Sequence, residues 1–207
     1  MARRSFERPR HPRLVGRKAI VVCEGEKTER GYFEAIRQSM RLPTLRLKVI
    51  FPEGTDPLTI VTSAVEEKRV QLRERAWFAG DVAWAVFDGD EHRLSNPDRW
   101  QKALQLARAN QVKVAVSNPN FELWYLLHYQ NHTADITRAN ILKLLRKHLP
   151  RYEKSTVLWP TPLQPLTKRA VARAEELLLR INRDRLPEHA NPSTGVHELV
   201  QHLLDLG

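Results

Sequence analysis

Residues 21–29 read VVCEGEKTE, and this stretch decides the fold of the chain. It completes an apolar run from Ala19 to Cys23, which is typical of a strand buried on both faces of a parallel sheet. The acids after the glycine and the apolar spacing over residues 32–36 predict a helix directly after this strand. Glu24 and Glu26 are therefore expected at the carboxyl edge of a buried strand, where open parallel sheets gather ligands and catalytic groups.

Three further strand patterns follow, and helical patterns separate them. The strands are predicted at 46–51, 82–87 and 112–116, and the helices between them begin near Pro57 and Pro97. This alternation predicts right-handed crossovers and an α/β fold with a mostly parallel four-stranded sheet flanked by helices. Helical patterns then occupy 121–129, 137–149, 167–183 and 196–206, with a long loop over 150–165. We expect a basic flexible arm over 1–17, an α/β core over 18–130, and a helical part over 131–207 that packs on the core.

The composition limits the partners and the compartment. The 207 residues contain 34 Lys and Arg against 24 Asp and Glu, a net charge of +10, which favours a phosphate-rich partner, nucleic acid before membrane. The single cysteine, Cys23, cannot form an internal disulfide, and no paired Cys or His spacing suggests zinc. No apolar run approaches the roughly 20 residues that span a bilayer, and no apolar segment of a signal peptide follows the N-terminal charges. We expect a cytoplasmic protein.

Acidic residues follow two of the predicted strands. Glu24 and Glu26 end the first strand, and Asp88 and Asp90 follow the third, within VFDGDEH over residues 86–92. Both pairs reach the same edge of a parallel sheet, where close carboxylates repel unless one is protonated or a cation lies among them. Oxygen ligands of this kind select Mg²⁺ or Mn²⁺, which can assist phosphodiester cleavage. The alternative is that these acids lie in exposed loops or only complement a helix dipole.

The acidic motifs and the segments around them resemble those of known proteins. EGE after one buried strand and DGD after a later one resemble the Toprim fold of topoisomerases, primases and OLD-type nucleases. VVCEGEKTERGYFE, FDGDEH and SNPNFELWYLLHY together resemble the RloB-like family, associated with bacterial abortive-infection and restriction loci. The similarity extends from about Lys18 to Tyr129, and NPSTGVHELVQHLL near the end of the chain also resembles that family.

The resemblance implies roles for four acids. Glu24 corresponds to the Toprim glutamate, often given the role of general acid or base, and Glu26 is its helper. Asp88 and Asp90 correspond to the metal-binding pair, so that Glu24, Asp88 and Asp90 are the implied ligands of Mg²⁺ or Mn²⁺. Because the chain lacks the tyrosine-bearing domain of topoisomerases and the zinc module of primases, simple hydrolysis is the implied reaction.

The resemblance also implies a biological setting. Related Toprim subunits work beside an ABC-type or AAA ATPase that senses phage, and some such effectors cut transfer RNA. By analogy we expect a metal-dependent nuclease in phage defence, acting on RNA in preference to DNA, with an ATPase partner. A non-catalytic nucleic-acid-binding adaptor and a DNA-nicking nuclease remain alternatives. A phosphohydrolase with an aspartyl nucleophile fits less well, because its DxD normally follows the first strand.

Several further residues are candidates for phosphate or substrate binding, each with a structural alternative. Lys27 and Thr28 could hold a phosphate at a helix start or only cap it. His92 could donate a proton, and Glu91 and Glu122 could support the site, although Glu122 also suits a helix start. Asn118 could contact substrate or belong to an Asn-Pro turn. Lys154 resembles a phosphate-contacting lysine of the family, and Trp159, between prolines, is a candidate for stacking on a base.

Overall fold

The computed structural model describes residues 17–207, without the side chains of residues 90–92. Most of the predicted basic arm, residues 1–16, lies outside the described residues. Strands and helices alternate through the first half of the chain, and helices dominate the second. The elements are β1 (Ala19–Cys23), α1 (Thr28–Ser39), β2 (Leu47–Ile50), α2 (Pro57–Arg73), β3 (Val82–Asp88), α3 (Asp90–Ser95), α4 (Pro97–Ala109), β4 (Lys113–Asn118), α5 (Glu122–Tyr129), α6 (Arg138–His148), α7 (Thr167–Arg183), β5 (Ser193–Thr194) and α8 (Val196–Leu204).

The sheet has the strand order β2-β1-β3-β4-β5, and its first four strands are parallel. The predicted α/β fold with a mostly parallel sheet flanked by helices is confirmed, but the prediction of four strands is wrong. β5 adds a fifth strand, antiparallel to β4, in which Ser193 pairs with Asn118. This strand has only two residues, both polar and buried, so it has no apolar run by which sequence could reveal it.

Helices cover both faces of the sheet. On one face α2 and α4 bury Ile60, Ala64 and Trp100 against the strands. On the other face α1, α5, α7 and α8 join one continuous core, in which Trp124 and Leu177 are fully buried. Complete burial of each such apolar side chain stabilises the folded state by roughly 1.5–3 kcal/mol. The helices cover the faces of the sheet, so polar groups can lie at the ends of its strands.

The predicted helix starts near Pro57 and Pro97 are confirmed. The Asp56 carboxylate accepts hydrogen bonds from the N–H groups of Leu58 and Thr59 at 3.1 and 3.2 Å, and Pro57 occupies the first turn. Asn96 accepts from the N–H of Arg99 at 3.2 Å. These caps satisfy backbone donors that lack partners inside the helix.

Two other interpretations of single residues are wrong. The apolar residues Leu58, Val61, Val65 and Leu72 in the sequence suggest one apolar face of α2, but Leu72 is 51% exposed near the end of that helix. Trp159 is 3% exposed, packs edge-on against Tyr32 with ring centroids 5.8 Å apart, and donates to Ser39 Oγ at 2.8 Å. It is therefore a core residue that holds the long loop to α1, with no free face for a base.

Within the described residues, no helix combines the length and apolar character needed to cross a bilayer.

Candidate functional site

A cleft of about 470 Å³ opens at the carboxyl edge of the parallel strands. The ends of β1 and β3, the start of α1, the loop after β2 and the long loop after α6 all border it. Its charged lining residues are Glu24, Glu26, Lys27, Glu29, Glu53, Asp88, Glu122, Arg138 and Lys154. The cleft therefore brings together acids from four chain segments with three cationic side chains.

Glu24 and Asp88 lie side by side, as expected for neighbouring parallel strands. Cys23 pairs with Val86, so β1 and β3 end at the same edge, and the Asp88 N–H donates to Glu24 Oε2 at 2.9 Å. Asp88 Oδ1 accepts from the Phe121 N–H at 2.9 Å, and Asp88 Oδ2 lies 3.4 Å from an Arg138 guanidinium nitrogen. Asp88 is thus fixed by β1, by the start of α5 and by the first residue of α6.

The environment of Asp88 opposes its negative charge. Burial raises the pKa of its carboxyl well above the usual range, and the charges of Glu29, Glu24 and Glu122 raise that pKa further. The neighbouring guanidinium of Arg138 acts in the opposite direction. Arg138 was missed in the sequence, because nothing in TRAN sets it apart from any other basic residue at a helix start.

Glu29 is the second strongly perturbed acid of the cleft. Its side chain is buried, and burial together with the charges of Glu122 and Glu24 raises its pKa to about 7, against the lowering effects of a backbone hydrogen bond and Lys154. A Cβ atom built on Gly25 would collide with the Glu29 carboxylate, so any other residue at that position would require the Glu29 side chain to move. Sequence reasoning assigned Glu29 to the helix dipole alone; the EGExxE spacing was the signal that could have identified it.

Glu122 lies buried at the start of α5 and is held by two donors. Asn120 Nδ2 donates to Glu122 Oε2 at 2.6 Å, and the Tyr152 hydroxyl donates to Oε1 at 3.3 Å. Burial, and then the charge of Glu122, raise the pKa of Tyr152, so this phenol remains a donor. Tyr152 thereby fixes the long loop against the acids, a role that the sequence did not reveal.

The predicted phosphate-binding residues divide into two groups. Lys27 and Lys154 line the cleft with exposed side chains. Thr28 also lines it, and its hydroxyl donates to the Lys154 carbonyl at 3.2 Å. Lys27 is the N-cap residue of α1, and its side chain makes no capping hydrogen bond. Asn118 does not line this cleft: its Nδ2 donates to the His189 carbonyl at 2.7 Å, and it borders a second cavity.

The remaining predicted residues of the DGDEH motif begin a helix. Asp90, Glu91 and His92 form the first half of α3, and their side chains lie outside the described residues. The prediction that Asp90 completes a metal site therefore stays a prediction. Glu26 is exposed at the rim of the cleft.

The chemistry of the cleft is compatible with a hard divalent cation. Among the side chains that the structure describes, no group of three His, Cys, Asp or Glu residues is arranged to hold a metal ion. Glu24 and Asp88 are nevertheless neighbours, and burial together with the negative charges of Glu29, Glu24 and Glu122 raises the pKa of Asp88, against the lowering effect of Arg138. Carboxylate oxygens are the ligands that Mg²⁺ and Mn²⁺ prefer, and a cation would relieve this repulsion.

Comparison with known proteins gave one match. A family model described as "RloB-like protein" matches residues 19–203, which include every element from β1 to the last turn of α8. Searches of curated proteins and of solved structures gave no match.

Proposed function

The chain belongs to the RloB-like family, and we propose that it is a Mg²⁺- or Mn²⁺-dependent nuclease of Toprim type that acts in bacterial phage defence. We propose RNA, transfer RNA included, as its substrate in preference to DNA, and an ABC-type or AAA ATPase as its partner. The observation that carries the proposal is the proximity of Glu24 and Asp88 at the edge of a parallel sheet, inside a cleft that Lys27, Arg138 and Lys154 also line.

The acids of this cleft would hold the metal. Glu24 and Asp88 are the first ligands in this proposal, with Asp90 as a third. When bound, the ion supplies charge stabilisation at the phosphodiester and lowers the pKa of a bound water. The Phe121 N–H at the start of α5 and the Arg138 guanidinium fix Asp88, and the Asp88 N–H fixes Glu24.

The cationic residues would position the nucleic acid. Lys27 and Lys154 are exposed on the cleft wall and would contact phosphate oxygens on either side of the reacting bond. Glu24 would take or give the proton of the hydrolysis, helped by the exposed Glu26 at the rim. The surrounding acids would repel a phosphate in the absence of metal, and the bound ion would offset that repulsion at the reacting phosphate.

The test is cleavage by the purified protein, alone and together with a neighbouring ATPase if the locus encodes one. Total RNA and plasmid DNA are incubated with Mn²⁺, and Asp88→Asn and Glu24→Gln are compared with the exposed control Glu66→Gln. Each cleft variant should lose about 10²-fold or more in cleavage rate while it still binds RNA. Cleavage that Asp88→Asn leaves unchanged, or no cleavage under any of these conditions, would refute the proposal.

One observation favours a second candidate, a non-catalytic adaptor that binds nucleic acid. The Arg138 guanidinium already lies 3.4 Å from Asp88 and partly neutralises it, so the acids could serve only to hold α6 on the sheet. An adaptor would keep its full effect on phage growth in the Asp88→Asn variant, whereas a nuclease would lose it.

A further inference from the structure

A second cavity, of about 360 Å³, lies next to the cleft. Asp88 lines the cleft and Gly89 lines this cavity, so the two spaces are neighbours across one peptide at the end of β3. The cavity is also bordered by Arg93 of α3, Asn118 of β4 and Arg180 of α7. A strand of nucleic acid bound in the cleft at Asp88 would therefore lie close to this cavity.

The charged residues that line the cavity are two arginines, Arg93 and Arg180, and one acid, Asp135. Arg93 Nη1 donates to the His189 carbonyl at 3.2 Å, and Arg180 Nε lies 3.5 Å from an Asp184 carboxylate oxygen. A guanidinium carries five N–H donors in a rigid fork, so each contact uses only part of its capacity. That fork matches the oxygens of a phosphate group, for which arginine is the preferred side chain.

The rest of the cavity suits the other parts of a nucleotide. Leu94, 82% exposed, and Leu186 give it apolar walls that a base could contact. Asn118 is 6% exposed, and its Nδ2 donates to the His189 carbonyl, which fixes the orientation of the amide. Its Oδ1 is buried and has no hydrogen-bond partner within residues 17–207 as described, so a ligand donor would satisfy it.

We propose that this cavity binds one nucleotide of the strand whose phosphodiester lies in the cleft. Arg93 and Arg180 bind its phosphate, Leu94 and Leu186 contact its base, and Asn118 Oδ1 accepts a hydrogen bond from its amino or hydroxyl group. This inference rests on the proposed nuclease function and adds a substrate subsite to it.

The test measures binding of small probes without metal. The four nucleoside 5′-monophosphates and inorganic phosphate are titrated calorimetrically into the full chain in EDTA. The variants are Arg93→Gln and Arg180→Gln, whose side chains are partly solvent-exposed and whose folding is checked by thermal melting. Arg183→Gln is the matched control, because Arg183 also lies on α7 and contacts Asp184 but is outside the cavity.

We expect at least one nucleotide to bind more tightly than phosphate, and each cavity variant to weaken it about tenfold while Arg183→Gln leaves it unchanged. No binding of any nucleotide at millimolar concentration, equal binding by the cavity variants, or no preference over phosphate would overturn the inference. Asp88→Asn separates the two proposals, since it should abolish cleavage but leave this binding intact. If the cavity variants weaken nucleotide binding but the wild type cleaves nothing, the nucleotide subsite is supported and the nuclease proposal is refuted. If the wild type cleaves RNA but the cavity variants bind nucleotides as the wild type does, the nuclease proposal is supported and the subsite is refuted.

Discussion

Glu29→Gln should stabilise the protein at neutral and alkaline pH. Burial and the neighbouring carboxylates Glu122 and Glu24 raise the pKa of Glu29 from 4.5 to about 7 in the folded chain. Between pH 4.5 and about pH 7, Glu29 keeps its proton in the folded state but has released it in the unfolded state, so the free energy of unfolding falls as pH rises. At 1.36 kcal/mol per pH unit, the penalty above pH 7 is about 3 kcal/mol.

Glutamine has the shape of the protonated side chain and carries no charge to bury. The variant should therefore match the wild type at pH 4.5 and exceed it by about 2–3 kcal/mol at pH 8. For a chain of this size that difference corresponds to roughly 4–12 °C in melting temperature.

The assay is thermal and urea unfolding in EDTA from pH 4.5 to 8.5, with Glu66→Gln as a control on the exposed face of α2. The control should show no pH-dependent gain. A Glu29→Gln variant whose stability is lower than that of the wild type at pH 8, or whose gain does not depend on pH, would refute the assignment of a repelled, buried carboxyl.

Three further perturbations follow from contacts in and near the cleft. Gly25→Ala should lower the free energy of unfolding in urea by about 1–3 kcal/mol, because the added Cβ would collide with Glu29 Oε2. Adding Glu29→Ala to the same chain should recover most of that loss. Additive effects of the two substitutions would contradict the contact. Arg138→Gln should lower stability in EDTA by about 1 kcal/mol where Asp88 is ionised, and the loss should shrink as pH falls, because the raised pKa of Asp88 favours its protonation. A loss that does not change with pH would exclude the ion pair as its source. Asp56→Ala should lower the free energy of unfolding by about 1–2 kcal/mol through loss of the α2 cap. Asp56→Asn should lower it by only about half as much, because asparagine can still cap the helix. Equal losses in the two variants would indicate that the ion pair with Arg99 dominates.

The sequence contained most of the information on the parallel sheet. Apolar runs such as Ala19–Cys23 are long enough to identify buried strands, and Asp56-Pro57 and Asn96-Pro97 are strong helix-start signals that the structure confirms. Because parallel strands end at one edge, the neighbourhood of Glu24 and Asp88 followed from these patterns alone. β5 did not, since a polar strand of two residues is specified by its tertiary partners and not by its own pattern.

The supporting residues of the site were harder to predict. Arg138 and Tyr152 reach the acids only because α6 and the long loop fold back over the cleft, a long-range event that local spacing does not encode. Trp159 misled for the same reason: its flanking prolines indicate a loop, but the loop is packed against α1 and buries the ring. Sequence therefore brought Glu24 and Asp88 together, and tertiary packing determined what surrounds them.

The central claim is that acids from two strand ends hold a divalent cation. The most direct measurement is the melting temperature of the wild type and of Asp88→Asn across a titration with MnCl₂. Ligand at 100 times its dissociation constant stabilises a folded protein by about 2.7 kcal/mol, so the wild type should gain roughly 5–10 °C. Asp88→Asn should need at least about ten times more metal for the same gain. A wild type whose melting temperature does not change at millimolar Mn²⁺, or a variant that responds identically, would contradict the claim.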